Sequence, residues 1–449
     1  MPNFSLRGRK GATPSGASGA PTDAIGRAPE RGLWRLLGPA FVAAIAYVDP
    51  GNVAANLTAG ASYGYLLVWV LVASNAMAVL VQYLSAKLGL VTGKSLPQLL
   101  GRRLTRGKRL AYWSQAEIVA AATDVAEVIG GAIALNLLFG LPLVWGGLIT
   151  GAISMILLAI HSRRGQQPFE FVIIAFLAII AVGFLAGLFV SPVDWAAAAG
   201  GLVPRFDGPE TVLLAASMLG ATVMPHAIYL HSSLSRDRHL PAMTPSGVSQ
   251  PDPMDLLVTA ESHRARLPRL LRATKIDVLW SLAIAGSVNI AMLLLAAASL
   301  QGVSGTDSIE GAYNAIHTAL GPTIAVIFAI GLLASGLAAT SVGAYAGAVI
   351  MGGLIHRAIP LLTRRLITLV PALLLLAAGI NPTWALVLSQ VVLSLGIPFA
   401  LVPLVRLTSN REVMGEHVSR RSVQVVAWTV VALIVALNVA LIAITIWGG

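Results

Sequence analysis

Residues 47–56 read YVDPGNVAAN and lie near the middle of an apolar run that extends from about residue 36 to 62. A carboxylate, a helix breaker, a glycine and an amide stand together there. Proline cannot donate a backbone hydrogen bond and clashes with the preceding turn, and glycine weakens a helix further. A helix formed by this run therefore has to open at Asp49-Pro50-Gly51-Asn52. The surroundings decide what such an opening means.

Those surroundings are unusually apolar. Of 449 residues, 56% are hydrophobic and only 11% charged, with a mean hydropathy of +0.80; an ordinary soluble domain carries about 25% charged residues. The composition predicts an all-α integral membrane protein in the cell membrane. There is no cysteine, so disulfides and thiolate metal sites are excluded, and any soft metal ligand must be methionine or histidine. The net charge of +11 reads as basic cytoplasmic loops, and no nucleic-acid partner is expected. Residues 1–31 are rich in Gly, Ala, Ser and Pro and lack an apolar h-region. They read as a disordered cytoplasmic tail and not a signal peptide, leaving 32–449 as one transmembrane domain.

A membrane-crossing helix needs about 20 mainly apolar residues. Eleven segments qualify, near 36–62, 64–90, 111–138, 141–160, 168–190, 210–234, 272–300, 321–352, 363–380, 383–407 and 422–447. With the N-terminus inside, the cytoplasmic connections collect Lys94 to Arg109, Arg163 and Arg164, Arg236 to Lys275, Arg357 to Arg365, and Arg406 to Arg421. Of thirty Lys and Arg, only Arg205 falls in an external loop. The asymmetry predicts N-terminus in and C-terminus out. The connection at about 235–270 is polar and reads as a flexible cytoplasmic insertion.

The sixth span repeats the anomaly of the first. It carries GATVMPHAIYLHS at residues 220–232, with Met224, Pro225 and His226 at its centre. One such break is commonly a simple proline kink. Two breaks five spans apart, each with polar groups, point to an inverted-repeat transporter site.

Charged groups inside the spans are few. A carboxylate at the bilayer centre costs about 2.5–3.5 kcal/mol on insertion scales, which makes Asp49, Glu117, Asp124 and Glu127 functional candidates. The last three are spaced by seven and three residues, so they share one face of the third span. Such a line suits proton relay; the alternative is a structural salt-bridge face, with Arg364 and Arg365 of the ninth span as the buried cations. His226 adjoins the second break and suits proton handling or gating. His231 lies five residues on, a poor spacing for a shared metal ion, and reads first as an ordinary polar-cavity histidine toward the cytoplasmic mouth. Gln82, Asn289 and Gln390 are uncharged polar groups in apolar runs, explained by default as interhelical hydrogen bonds.

For a divalent cation, Asp49 offers a hard carboxylate, Asn52 an amide oxygen and the opened backbone its carbonyls. Oxygen alone would suit Mg²⁺ or Ca²⁺. A methionine in an apolar helix is ordinarily packing. Met224, beside one break and paired with an Asp-bearing break, tilts the site toward Mn²⁺, Fe²⁺ and Cd²⁺, because a thioether bonds softer ions.

DPGN in the first span, TDVAEVIG in the third, MPH in the sixth and SQVVLSLGIPFALVPLVRLTS in the tenth together resemble the natural resistance-associated macrophage protein (Nramp) family of divalent-metal transporters. The resemblance runs from about 32 to 447. It implies a LeuT-like fold, with inverted five-helix repeats at about 34–190 and 210–407 and an eleventh helix at about 422–447. It also implies proton-coupled import of Mn²⁺ or Fe²⁺. The chain is expected to act as a monomer, with no resident cofactor. Carried over by position, it places metal ligands at Asp49, Asn52, Met224, the carbonyls of Ala46 and Ala221, and, for part of the cycle, Gln390. Its proton-route residues fall on Asp49, His226, Glu117, Asp124, Glu127, Arg364 and Arg365. The chain departs from the family in the eighth span, where Leu337-Ala338-Ala339 replaces the usual Gln-Ser-Ser, a change expected to touch rate or coupling before metal binding.

A same-fold Na⁺-coupled symporter of organic solutes, such as amino acids, is the main alternative, although an Asp facing a Met does not suit a carboxylate substrate. A membrane hydrolase or receptor finds no Ser/His/Asp or His-Glu-x-x-His arrangement and no external domain to support it. The reading is of a carrier, not an enzyme.

Overall fold

The computed structural model describes residues 38–164, 166–239, 253–306, 308–356 and 359–447. The expected N-terminal tail, 1–31, lies outside the described residues. Among the described residues there is helix and no strand. The first half comprises α1 (Pro39–Ile45), a 3₁₀ turn (Ala46–Val48), α2 (Pro50–Tyr63), α3 (Val68–Thr92), α4 (Leu96–Arg103), α5 (Arg106–Phe139), α6 (Leu143–Arg164), α7 (Gln166–Val190) and α8 (Trp195–Gly200). The second half comprises α9 (Gly208–Thr222), α10 (Pro225–His239), α11 (Pro253–Ser299), α12 (Ile309–Leu320), α13 (Pro322–Ile355), α14 (Leu361–Ala377), α15 (Pro382–Thr408), α16 (Arg411–Met414) and α17 (Arg421–Trp447).

Eight helical stretches among the described residues are long and apolar enough to cross a membrane, with α9 and α10 together forming one of them. The expected first span is divided between α1 and α2, and the expected fourth and ninth correspond to α6 and α14. Both breaks fall where the sequence places them, α1 giving way to α2 at Asp49 and α9 to α10 at Val223-Met224. One expectation is corrected. The connection at 235–270 is largely helical, because α10 continues to His239 and α11 begins at Pro253; residues 240–252 lie outside the described residues. The charged side chains hid an apolar stripe there. Leu267 and Leu270 are buried against Leu90, with Val91 and Leu271 beside them.

Packing brings the two breaks into one core. α2 lies against α11, α9 and α15, while α10 lies against α3, α13 and α15. The buried cluster that unites them contains Ala46, Tyr47, Val48, Val223 and Met224, so the broken turns sit in its interior. The start of α1 is secured from outside its own chain segment. Its cap residue is Gly38, with no side chain to offer, and the Asp277 carboxylate of α11 accepts N–H bonds from Gly38 (3.1 and 3.2 Å) and Ala40 (3.0 Å). Two of the N–H groups that every helix start leaves unpaired are thus satisfied.

Candidate metal centre

The two breaks are built alike. Asp49 is extended (φ −78°, ψ 168°) and caps α2, its carboxylate accepting the Asn52 N–H at 2.7 Å. Pro50 follows at the first helical position, where its missing N–H is harmless to α2. The effect falls on the preceding turn. In a continuous helix the Ala46 carbonyl would accept from residue 50, and residue 50 is a proline. The sixth span follows suit: Pro225 opens α10, and the carbonyl that loses its donor is that of Ala221. Sequence position thus singles out the same two carbonyls that the family resemblance implies.

Neighbouring helices hold the first break open. The Asn289 side chain of α11 donates to the Tyr47 carbonyl at 2.7 Å and accepts from Asn56 at 3.0 Å. Ser335 of α13 donates to the Val48 carbonyl at 2.5 Å. Backbone carbonyls buried at this depth need such partners, since an unpaired one costs about 1–3 kcal/mol.

The breaks meet at Asn52. Its amide Nδ2 donates to Asp49 Oδ1 at 2.7 Å and to the Ala221 carbonyl at 3.1 Å, the first from its own break and the second from the sixth span. Its Oδ1 is buried without a hydrogen-bond partner. Gln390 of α15 adds a third direction: Nε2 donates to Asp49 Oδ2 at 3.4 Å and Oε1 is likewise buried and unpartnered. Two glycines allow this approach. A Cβ on Gly51 would occupy the place of the Gln390 side chain, and one on Gly220 the place of the Gln390 carbonyl. Met224 stands in the second break, fully buried. Asp49, Asn52 and Gln390 are also inaccessible, so the centre is closed to solvent in this conformation.

Chemically, the amide hydrogens of Asn52 lie where a cation would find a carboxylate and a carbonyl oxygen converging. A half-turn of that amide presents Oδ1 to the same point. Among the described residues no three His, Cys, Asp or Glu side chains group to hold a metal ion; Asp49 is the carboxylate that meets the Asn52 and Gln390 amides between the two breaks.

The α5 carboxylates line one face, as their spacing predicts. Glu117 is partly exposed and receives Arg364 Nη2 at 2.6 Å. About 10 Å farther along the helix, buried Asp124 pairs with buried Arg365 at 3.0 Å, and Arg365 Nε donates to Ser154 at 2.9 Å. Glu127 is buried within electrostatic reach of Asp124, Arg365 and Asp49. Both arginines thus meet carboxylates of the third span. Removing one partner of a buried pair leaves an uncompensated charge, typically destabilising by about 3–5 kcal/mol. Arg365→Met is accordingly expected to lower the melting temperature of the detergent-solubilised protein sharply. Adding Asp124→Asn should recover most of the loss, and an unchanged melting temperature in the single variant would contradict the pairing.

The histidines face different neighbours. His226 Nδ1 lies 3.4 Å from Thr123 of α5. His231 Nδ1 lies 2.8 Å from Gln82 Oε1 of α3, and Gln82 Nε2 donates to the Tyr47 hydroxyl beside the first break. Gln82 and Asn289 therefore make the interhelical bonds expected of them. Ser335 and Asn56 are structural partners of the break that sequence reasoning passed over; the only signal was a polar residue within an apolar run. Leu337, Ala338 and Ala339 are buried in α13 one turn from Ser335, so the departure from the family does lie beside the first span.

An apolar helical bundle in which two interrupted helices meet at their breaks is the architecture of LeuT-like secondary transporters. Solved structures agree on that fold. MhsT in complex with L-phenylalanine matches with a TM-score of 0.56 at 14% identity over 91% of this chain and 97% of that one, a likeness of fold alone. The chain belongs to the natural resistance-associated macrophage protein-like (Nramp) family, whose model matches residues 40–444. The divalent metal cation transporter MntH of Mycobacterium tuberculosis is 60% identical over 415 residues, 92% of each chain. MntH of Deinococcus radiodurans is 43% identical over 442 residues, 97% of this chain and 94% of that one. The crystal structure of the Eremococcus coleocola manganese transporter matches with a TM-score of 0.78 at 30% identity, covering 92% of this chain and 88% of that chain.

Proposed function

We propose that this protein imports divalent transition metal ions, Mn²⁺ with Fe²⁺ and Cd²⁺, across the cell membrane by alternating access, coupled to inward proton movement. The observation that carries the reading is the Asn52 amide held between Asp49 Oδ1 and the Ala221 carbonyl, oxygens from two separate breaks. A cation entering there replaces the amide hydrogens. Asp49, the Asn52 and Gln390 amide oxygens, the Met224 sulfur and the carbonyls of Ala46 and Ala221 are its proposed ligands. A single carboxylate among neutral donors binds a dication loosely enough to release it, as a carrier requires.

Protons are proposed to leave Asp49 for the α5 line. Glu127 and Asp124 take them inside, Glu117 passes them toward the exposed end, Arg364 and Arg365 poise the carboxylates, and His226 stands at the junction of the second break with α5. The basic loops support a multi-pass orientation with the N-terminus cytoplasmic and the C-terminus extracellular. The transporter is read as a monomer of two inverted repeats, about 34–190 and 210–407, with an added eleventh helix and no cofactor of its own.

The test is uptake of Mn²⁺, Fe²⁺, Cd²⁺, Mg²⁺ and Ca²⁺ into proteoliposomes that enclose a pH dye. Uptake of the first three, with internal acidification that tracks metal entry, is expected. Metal uptake without acidification would remove the proton coupling. Absence of metal uptake beside Na⁺-driven amino acid uptake would replace the reading with the organic-solute alternative.

A further inference from the structure

The eleventh helix, α17, lies outside both proposed repeats and supplies none of the proposed ligands. It nevertheless carries one buried amide, Asn438, in an otherwise apolar stretch. Both polar atoms of that amide bond to one residue of the tenth span. Asn438 Nδ2 donates to the Ser394 carbonyl at 2.9 Å, and its Oδ1 accepts the Ser394 hydroxyl at 2.8 Å.

Ser394 is the partner for a reason visible in the chain. α15 contains two internal prolines, Pro398 and Pro403. Each deprives the carbonyl four residues earlier of its helical donor, and those carbonyls belong to Ser394 and Phe399. Both are met from outside α15. Tyr229 of α10, just past the second break, donates to the Phe399 carbonyl at 3.2 Å, and Asn438 takes that of Ser394. The two carbonyls that the prolines free in the tenth span are thus held by a half-helix that begins at the candidate site and by α17.

Ser394 also lies one turn after Gln390. Gly220 of α9 packs against the Gln390 carbonyl and against Ser394 together, and a small apolar cluster of Ala216, Val391 and Leu441 joins α9, α15 and α17 at the same level. The backbone that carries Gln390 is therefore fixed between α9 and α17.

We propose that Asn438 is a positioning residue for the metal centre: by taking over the Ser394 carbonyl that Pro398 frees, it sets how far Gln390 reaches toward Asp49. The inference rests on the metal-transport reading above. It gives the eleventh helix a part in metal affinity through a hydrogen bond and not through a ligand.

Asn438→Leu in the full-length transporter removes both hydrogen bonds while keeping size. Mn²⁺ binding by titration calorimetry and Mn²⁺ uptake in proteoliposomes are expected to show Kd and KM raised about fivefold, with kcat changed less than about twofold. In a Gln390→Ala background the same substitution should add nothing further. Pro398→Ala restores an internal donor to Ser394, so P398A/N438L should return to the affinity of P398A alone. If N438L cannot be recovered as monodisperse protein, the comparison of P398A/N438L with P398A carries the test. Unchanged Kd in N438L, an equal loss in the Gln390→Ala background, or no recovery with Pro398→Ala would overturn the proposal. Wild-type protein that neither binds nor transports Mn²⁺ would overturn the metal reading and this inference with it; wild-type uptake with an indifferent N438L overturns the inference alone.

Discussion

Proteoliposomes carrying Asp49→Asn protein are expected to take up Mn²⁺ at least about a hundredfold more slowly than wild type. Asp49 is the only charged group among the proposed ligands, and loss of one partner of a desolvated charge interaction typically costs about 2–5 kcal/mol. Asparagine is the informative replacement because it caps a helix about as well as aspartate. The bond from the Asn52 N–H to the side chain at residue 49 can then persist, and the melting temperature should stay close to that of wild type. Loss of transport in a well-folded variant assigns the carboxylate to the ion. Undiminished uptake would remove Asp49 from the ligand set and leave the first break a structural kink.

The second large effect is expected in selectivity. Met224→Ala should keep Mn²⁺ uptake within about tenfold while Ca²⁺ and Mg²⁺ become effective competitors. A hard ion gains little from a thioether and forfeits hydration to sit beside one, whereas Mn²⁺ and Cd²⁺ are compensated by sulfur. With the side chain gone, water can complete an all-oxygen shell. Truncating a buried methionine also destabilises by about 2–5 kcal/mol, so the quantity to read is the ratio of Ca²⁺ to Mn²⁺ uptake in one preparation, from which the amount of folded protein cancels. An unchanged ratio would return Met224 to ordinary packing.

Much of this architecture is legible in the chain because its strongest signals are local. Proline and glycine act on their own helix turn, so Asp49-Pro50-Gly51 and Met224-Pro225 mark the breaks without reference to anything else. The spacing of Glu117, Asp124 and Glu127 fixes their common face in the same way, and scarcity of other intramembrane cations singles out Arg364 and Arg365 as partners. What stays hidden depends on which helix becomes a neighbour. Ser335 and Asn289 look alike as isolated polar residues, and only their packing against the first break shows that they satisfy the Val48 and Tyr47 carbonyls. Asn438 is the clearest case, since its meaning depends on a proline 40 residues earlier in another helix. The helical extension at the start of α11 is missed for a different reason: its charged residues dominate average polarity, while burial of Leu267 and Leu270 depends on periodicity.

The presence of one carboxylate among the proposed ligands has an electrical consequence. A dication bound there leaves the loaded centre with a net charge of +1, and the unprotonated empty centre carries −1. In the proposed orientation an inside-negative membrane potential draws the loaded centre inward and drives the empty one outward. Each transition gains up to about 2.3 kcal/mol per 100 mV if the charge crosses the whole field. Voltage would then favour import on both strokes of the cycle, whereas a second carboxylate in the ligand set would leave the loaded stroke neutral and place the whole electrical gain on the empty return.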